Sequence, residues 1–383
     1  MRILHLGKFY PPHRGGIETY LESLCRELSK SAAIDVIVAN DRPGDETELL
    51  EGVKVRRLHS ILNVAAAPIC PRMIQEIRAT PADIVHLHVP NPYAWLAFHM
   101  SGHPAPLVVS WHSDIVRQRI LAQVLGPIER AMVRRAIALI ASSPNYIDTS
   151  PVLARNRGKC RVIPYGVDSE EFRPRDEAIV AGIRRRYGSR LVLAVGRLVY
   201  YKGFEYLIRA MARVRGHLLI VGEGPLRARL QGEASRSGVA ERVTFLGNLT
   251  RDELLDHYQA ADVFALASVA RSEAFGIVQL EAMASGKPVV NTRLPTGVPF
   301  VSVDGETGIT VEPAAPEAFS AAINHLLDDP MLRARYGAAG RRRVREHFSL
   351  AAMVGRTRAL YGEILAERTA PVHLPSAAAQ LGH

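Results

Sequence analysis

Residues 191–222 read LVLAVGRLVYYKGFEYLIRAMARVRGHLLIVG. The stretch begins and ends in short apolar runs, each closed by a glycine. Between them Phe204, Leu207, Ile208 and Met211 share one stripe when side chains are stepped at about 100° per residue, the period of an amphipathic helix. Strand, helix, strand is the local order. The apolar runs are near-continuous rather than alternating, which marks parallel strands buried on both faces. Runs of the same kind recur at 2–7, 34–39, 53–58, 83–88, 107–112, 138–143 and 160–165, and again at 242–247, 262–267, 287–292 and 308–313. The pattern predicts an α/β fold of two Rossmann-like, doubly wound parallel-sheet domains facing an interdomain cleft.

Residues 165–177 (YGVDSEEFRPRDE) are polar, hold a proline and lack periodicity, so the linker is placed there. The expected domains are 1–168 and 176–348. A final helix is expected over 349–368, opened by Ser349 as N-cap and packing back on the first domain. Residues 369–383 are expected to be disordered.

The chain has 383 residues, more than one ordinary core accommodates. Hydrophobic residues at 48% and charged residues at 22% describe a globular composition, not a disordered or fibrous one. The three cysteines (Cys25, Cys70, Cys160) are odd in number and far apart, so neither a disulfide framework nor a metal spacing follows, and a reducing compartment is expected. The N-terminal apolar run is too short for a signal peptide, and no stretch approaches the roughly 18 apolar residues of a spanning helix. A cytoplasmic protein is expected. Its net charge of +10 favours anionic partners: nucleic acid, phosphorylated ligands or an acidic membrane face.

Open α/β sheets bind ligands at the carboxyl ends of their strands, so the strand ends are where chemistry is sought. After the first strand, Gly15 and Gly16 precede a helix; they read either as a flexible turn or as a loop that lets backbone approach an anion. After the strand at 191–196, Arg197 and Lys202 flank a helix start and read either as a diphosphate clamp or as solvated charge. The turn at 222–225 places Glu223 after the next strand, in a structural or a binding role. His112 closes the strand at 107–112, as a reactive or a satisfied structural histidine. The richest stretch is 272–290, SEAFGIVQLEAMASGKPVV. Gly276 reads as a helix start and Gly286 with Pro288 as its stop. Glu281 lands on the apolar arc beside Ile277, Leu280 and Ala284, whereas Gln279 takes the polar side. A carboxylate there is costly without a hydrogen-bond partner, so it faces either a cleft or a buried donor. Carboxylates suit sugar hydroxyls and helix amides suit phosphate.

Several of these pieces stand in one order: GGIE (15–18), WHSD (111–114), GVD (166–168), GRL and KG (196–203), GEGP (222–225), Glu273 and Glu281 in EAFGIVQLE, and GETGITVEP (305–313). Together they resemble the retaining, nucleotide-sugar-dependent glycosyltransferases of the GT-B type, family 4, over about residues 1–368. WHSDIV, SSPNY and EAFGIVQLEAMASGKPVV are most similar to bacterial mannosyl- and rhamnosyltransferases that build lipopolysaccharide O-antigen. The resemblance implies roles for particular residues. Arg197 and Lys202 would neutralise the donor diphosphate, and Glu281 would hold the ribose hydroxyls. Glu273, with the amides near Phe275, Gly276 and Ile277, would orient the transferred sugar, and His112 would touch that sugar from the other domain. Gly15, Gly16 and Glu223 would border the donor, with Leu246 and Gly247 in TFLGNL (244–249) beside the base. RLPTGVPFV (293–301) lacks the double glycine of many members, which leaves phosphate contacts there open.

The resemblance further implies a GDP-mannose or GDP-rhamnose donor, with a UDP-sugar as the alternative, and a lipid-linked saccharide acceptor. No Asp-x-Asp occurs in the chain, so no divalent metal and no cofactor beyond the donor is expected. The arginine-rich segment 114–141 reads as a basic amphipathic helix, which implies reversible contact with anionic inner-leaflet lipids. Nucleic-acid binding is not expected, because the arginines are dispersed and no reading helix or aromatic platform is recognisable. A nicotinamide oxidoreductase would want G-x-G-x-x-G directly after a strand, and none is found. A sugar-nucleotide epimerase shares the fold and would differ by needing no acceptor.

Overall fold

The computed structural model describes residues 1–13, 15–64, 67–114 and 119–369. Its strands are β1 (Arg2–Leu6), β2 (Ala33–Asn40), β3 (Glu46–Leu50), β4 (Val53–His59), β5 (Leu62–Val64), β6 (Ala67–Ile69), β7 (Ile84–Val89), β8 (Leu107–Trp111), β9 (Ala136–Ala141), β10 (Cys160–Val162), β11 (Leu191–Val195), β12 (His217–Val221), β13 (Val243–Gly247), β14 (Val263–Ala265), β15 (Val289–Thr292) and β16 (Gly308–Val311). An eight-stranded sheet runs β10-β9-β8-β7-β1-β2-β4-β3 and a six-stranded sheet runs β13-β12-β11-β14-β15-β16. Pairings in both are parallel except β3 on β4.

Each sheet is doubly wound. Strand order reverses between β1 and β7 in the first and between β11 and β14 in the second. Those reversals open crevices at the strand ends, and the ends of β1 and β11 carry Lys8 and Arg197. The runs foreseen as buried on both faces are so: every residue of β7 and β8 is buried.

The structure departs from the sequence reading in places. β3 is an edge strand with exposed Glu46 and Leu49, too polar to register as an apolar run, and β5–β6 is a small separate hairpin. β10 stops at Val162, two residues before Pro164, which has no N–H for a ladder. Segment 114–141 is not one helix: helix Arg119–Arg135 gives way to β9 at Ala136, and residues 115–118 lie outside the described residues. In the C-terminal half of that helix Met132 and Val133 are buried while Arg130, Arg134 and Arg135 are exposed. Of the tail expected over 369–383, Thr369 still belongs to the last helix, and residues 370–383 lie outside the described residues.

The chain crosses between the sheets twice. It leaves the first through residues 163–176 and returns at Phe348. The two crossings are stitched together: Val167 N–H donates to the Phe348 carbonyl at 2.9 Å and Leu350 N–H donates to the Val167 carbonyl at 3.0 Å. Helix Leu350–Thr369 then packs on helix Gly16–Ser29 of the first sheet's layer. Its Tyr361 is fully buried, and the Ser349 hydroxyl accepts from Ala352 N–H at 3.3 Å as an N-cap.

Candidate active site

β11 ends in Val195, and the chain turns through Gly196, Arg197 and a short helical turn Tyr200–Lys202. Gly203, at φ 64°, then starts helix Phe204–Ala210; a Cβ there would lie 2.0 Å from the Ala267 carbonyl oxygen, so only glycine fits so close to that loop. This turn drives Lys202 inward. Its Nζ meets Glu273 Oε2 at 2.6 Å, and the Ser268 hydroxyl donates to the same oxygen at 2.8 Å. Burial works against the Lys202 charge, and the Glu273 carboxylate beside it more than offsets burial, so its pKa stands above the ordinary value. Lys202 and Glu273 are therefore one buried ion pair, not two independent ligands. Arg197, in contrast, is exposed at the strand end.

Glu281 resolves the costly carboxylate with both alternatives at once. Its Oε1 accepts from Arg251 Nη1 at 2.7 Å and its Oε2 from the Tyr258 hydroxyl at 2.8 Å. Arg251 also forks onto Glu171, with Nε and Nη2 at 2.7 and 2.8 Å from the two carboxylate oxygens. Burial disfavours the charge of Arg251, but Glu171 and Glu281 outweigh it and raise its pKa. The same carboxylate lines a pocket between the domains, with Thr19, Ser23, Tyr165, Asp168 and Arg251.

Helix Ile277–Ala284 begins after Gly276 at φ 76°, where a Cβ would come 2.8 Å from Leu266 Cδ2. The helical period puts Gln279 on the polar side; in the structure it is fully buried. Its amide donates to the Phe275 carbonyl at 3.1 Å and accepts from Asn291 Nδ2 at 2.8 Å, which satisfies it and ties the loop ahead of the helix to β15. Across the domain gap, Gly16 sits against this helix start: a Cβ on Gly16 would lie 3.6 Å from Ile277 Cδ1. Phe275 meets Tyr165 edge-on at 4.8 Å. Gly15, Gly16, Phe275, Gly276 and Ile277 are thus brought together. Further along the sheet, Gly247 closes β13 and its carbonyl accepts from Gly222 N–H at 2.7 Å, with half-buried Leu246 before it. Glu223 pairs with Arg227 one helical turn on.

His112 is 4% exposed, and both ring nitrogens are engaged: Nδ1 with the Tyr165 hydroxyl at 2.6 Å and Nε2 with His88 at 3.1 Å. Both bonds fix the ring in its plane at the end of the first domain's sheet. The row continues, with His88 Nε2 meeting His5 Nδ1 at 3.0 Å, while His86 binds the Ser110 and Tyr361 hydroxyls at 2.8 and 2.5 Å. Burial lowers the pKa of all four, to about 3 for His5 and His112.

Several members of this site were not foreseen. Lys8, at the end of β1, is half-buried; burial lowers its pKa, the Glu18 carboxylate opposes that, and the Arg197 charge adds to it. Lys8 directly follows the first strand, and that position was its signal. Tyr165, Ser268 and Tyr258 carry no pattern in the sequence. Arg251 follows Thr250, whose capping box with Glu253 marks the helix start legibly but not the arginine's reach to Glu281.

Two family models match: "Glycosyltransferase Family 4" over residues 14–171 and "Glycosyl transferases group 1" over residues 176–343. The chain is 34% identical over 354 residues to D-rhamnosyltransferase WbpZ of Pseudomonas aeruginosa, covering 91% of this chain and 92% of that one. It is 31% identical to O-antigen chain mannosyltransferase C of Escherichia coli, covering 96% and 100%. Among solved structures it is similar to sucrose-phosphate synthase from Thermosynechococcus elongatus, with a TM-score of 0.81 at 24% identity, covering 96% and 99% of the two chains. Anabaena HepE in complex with UDP and glucose gives 0.78 at 20% identity, covering 95% and 100%. Two doubly wound sheets, these family matches and these relatives converge on one assignment: the chain belongs to the family 4 glycosyltransferases and has the GT-B fold.

Proposed function

We propose that this glycosyltransferase is a retaining enzyme that moves mannose or rhamnose from a GDP-sugar to a lipid-linked saccharide in cell-surface polysaccharide synthesis. The observation that carries the reading is the interdomain pocket holding Glu281, with the Lys202–Glu273 pair in the same domain. A carboxylate offers about four lone-pair sites, and Glu281 uses one on each oxygen, so a ribose diol can bind without displacing Arg251 or Tyr258. Both bonds to Glu273 fall on Oε2, so Oε1 is the oxygen to meet a hydroxyl of the transferred sugar. The mannosyl and rhamnosyl choice rests on the names of the relatives, among them a GDP-mannose-dependent phosphatidylinositol monomannoside mannosyltransferase of Mycolicibacterium smegmatis at 32% identity.

A retaining glycosidase uses a carboxylate nucleophile with an acid about 5 Å away. Here Glu273 is neutralised by Lys202 and Glu281 by Arg251, so neither is a free nucleophile. The route is front-face instead: the donor phosphate leaves, the acceptor hydroxyl attacks the anomeric carbon from the same side, and the leaving phosphate takes the hydroxyl proton. Arg197, Lys202 and Lys8 stabilise the charge that develops on the phosphate, and no divalent metal is needed.

A ligand that binds only the folded state raises the melting midpoint by mass action. GDP at about 100 times its Kd is expected to raise it by about 3 °C, in EDTA as well as without it. Glu281→Ala and Lys202→Ala lose the shift. If UDP raises the midpoint and GDP does not, the GDP donor is wrong. If no nucleotide does, the donor site is wrong.

No helix among the described residues is long and apolar enough to cross a membrane. Membrane contact by helix Arg119–Arg135, with its exposed Arg130, Arg134 and Arg135, fits a lipid-linked acceptor on the cytoplasmic face. Co-sedimentation with phosphatidylserine or cardiolipin vesicles at low salt, lost at high salt, is the expected result; sedimentation equal to that with neutral vesicles contradicts it.

A further inference from the structure

We propose that Arg271 is a positioning residue for glycosyl transfer: it latches the two domains together and so sets the loop that carries Glu273. Arg271 lies two residues before Glu273. Its Nη2 meets Asp114 Oδ2 at 3.2 Å and donates to the Thr149 carbonyl at 2.8 Å, both in the first domain. Its Nη1 donates to the Pro295 carbonyl at 3.0 Å, in its own domain. The Thr149 hydroxyl lies 2.7 Å from that same Pro295 oxygen and 2.8 Å from the Asn145 carbonyl of its own helix, so its single proton closes a ring across the gap when it is turned to Pro295.

Each anchor is itself held. Asp114 Oδ1 accepts from Trp111 Nε1 at 2.9 Å and from the Ser150 hydroxyl at 2.7 Å, and the Asp114 N–H donates to the Tyr146 hydroxyl at 2.6 Å. This leaves Oδ2 turned to Arg271. On the other side, Gly297 N–H donates to the Ala274 carbonyl at 2.8 Å, and a Cβ on Gly297 would lie 2.9 Å from the Ser143 hydroxyl oxygen of the first domain. The stretch from Arg271 to Phe275 is therefore fixed between its own domain's 295–297 loop and the opposite domain. With side chains 27% and 15% exposed, Arg271 and Asp114 are only partly screened by water. Only the planar arginine fork reaches three acceptors in this geometry, and a lysine would reach fewer. When the domains separate, the latch breaks and Glu273 loses one wall of its support. A displacement near 1 Å in such a group costs on the order of a hundredfold in rate.

The consequence for transfer rests on the reading that Glu273 meets the transferred sugar; the latch itself does not. Small-angle scattering of ligand-free Arg271→Gln and Asp114→Asn proteins is expected to give a larger radius of gyration than the parent, with Arg271→Lys in between. In a transfer assay kcat falls by roughly 10- to 100-fold in Arg271→Gln while the melting midpoint stays near that of the parent. The double variant is no worse than Arg271→Gln alone, because that change already removes the ion pair that Asp114→Asn would weaken. An unchanged radius in both single variants overturns the latch. A parent-like kcat in Arg271→Gln, or additive losses, overturns the positioning role. If the parent transfers no sugar from any nucleotide, the functional reading fails while the scattering result still decides the latch.

Discussion

Lys202→Ala is expected to lower kcat by about 10²–10³-fold, the scale set by removing one preorganised charge from a developing anion. The residue does two things at once. It balances a buried carboxylate, and its ammonium is the cation closest to the Glu273 side chain that the sugar would meet. Removing it leaves Glu273, among the described residues, with the Ser268 hydroxyl alone, and an uncompensated buried charge costs about 3–5 kcal/mol. Loss of activity could then reflect lost stability, and a second variant separates the two. Lys202→Met with Glu273→Gln replaces the ion pair by neutral groups of similar size, so stability returns toward that of the parent. Activity stays low, because the cation is still missing. Turnover of Lys202→Ala near the parent level would remove Lys202 from the catalytic machinery, and recovery of activity in the double variant would reduce its role to folding.

Acid is expected to unfold the first domain well before carboxylate protonation alone would. His5, His86, His88 and His112 are buried and neutral in the native state, joined in part nitrogen to nitrogen. In the unfolded chain each takes a proton near its ordinary value of about 6.5, while His5 and His112 in the fold resist protonation down to about 3. Below 6.5 the unfolded state thus binds more protons than the native one, and stability falls as pH falls. Each such ring contributes a slope of about 1.4 kcal/mol per pH unit. Two rings over two units already amount to about 5 kcal/mol, comparable with the whole stability of many domains. Urea melts from pH 7.5 to 4.5, followed by the near-ultraviolet signal of the first domain, should show the midpoint dropping steeply below pH 6.5. In His88→Asn, where an amide replaces one ring, the slope should lessen by about one proton. A midpoint independent of pH across this window would mean that the rings are protonated in the fold.

The strands were legible because burial on both faces leaves a run of apolar residues that needs no partner to be recognised. β3 was not, since an edge strand is held by its neighbour's backbone and its side chains stay polar. Helix Ile277–Ala284 was placed correctly from its glycines, and Glu281 was rightly singled out as anomalous. The same periodicity misjudged Gln279, because a side chain with complete hydrogen bonds can be buried at little cost and periodicity does not see bonds. His112 illustrates a related limit. Its position at a strand end was right, but which way a ring faces depends on Tyr165 and His88, residues 53 and 24 positions away. Arg251 and Arg271 are legible as arginines and nothing more; their partners lie on other elements of the fold.

The return of helix Leu350–Thr369 to the first sheet has a consequence for biosynthesis. Tyr361 hydrogen-bonds His86, and with Leu360 and Ile364 it fills a part of the first domain's core that nothing earlier in the chain supplies. A ribosome delivers residues in order, so β1 to β10 emerge long before the helix that covers them. The second domain, complete by residue 347, has all its strands and helices available first. The N-terminal half must therefore wait with an exposed apolar face until helix Leu350–Thr369 has been synthesised, and it becomes whole only after the second sheet and its helices have been made. Premature stops after residue 347 would yield a chain whose later-made domain is intact and whose first-made domain is the substrate for chaperones and proteases.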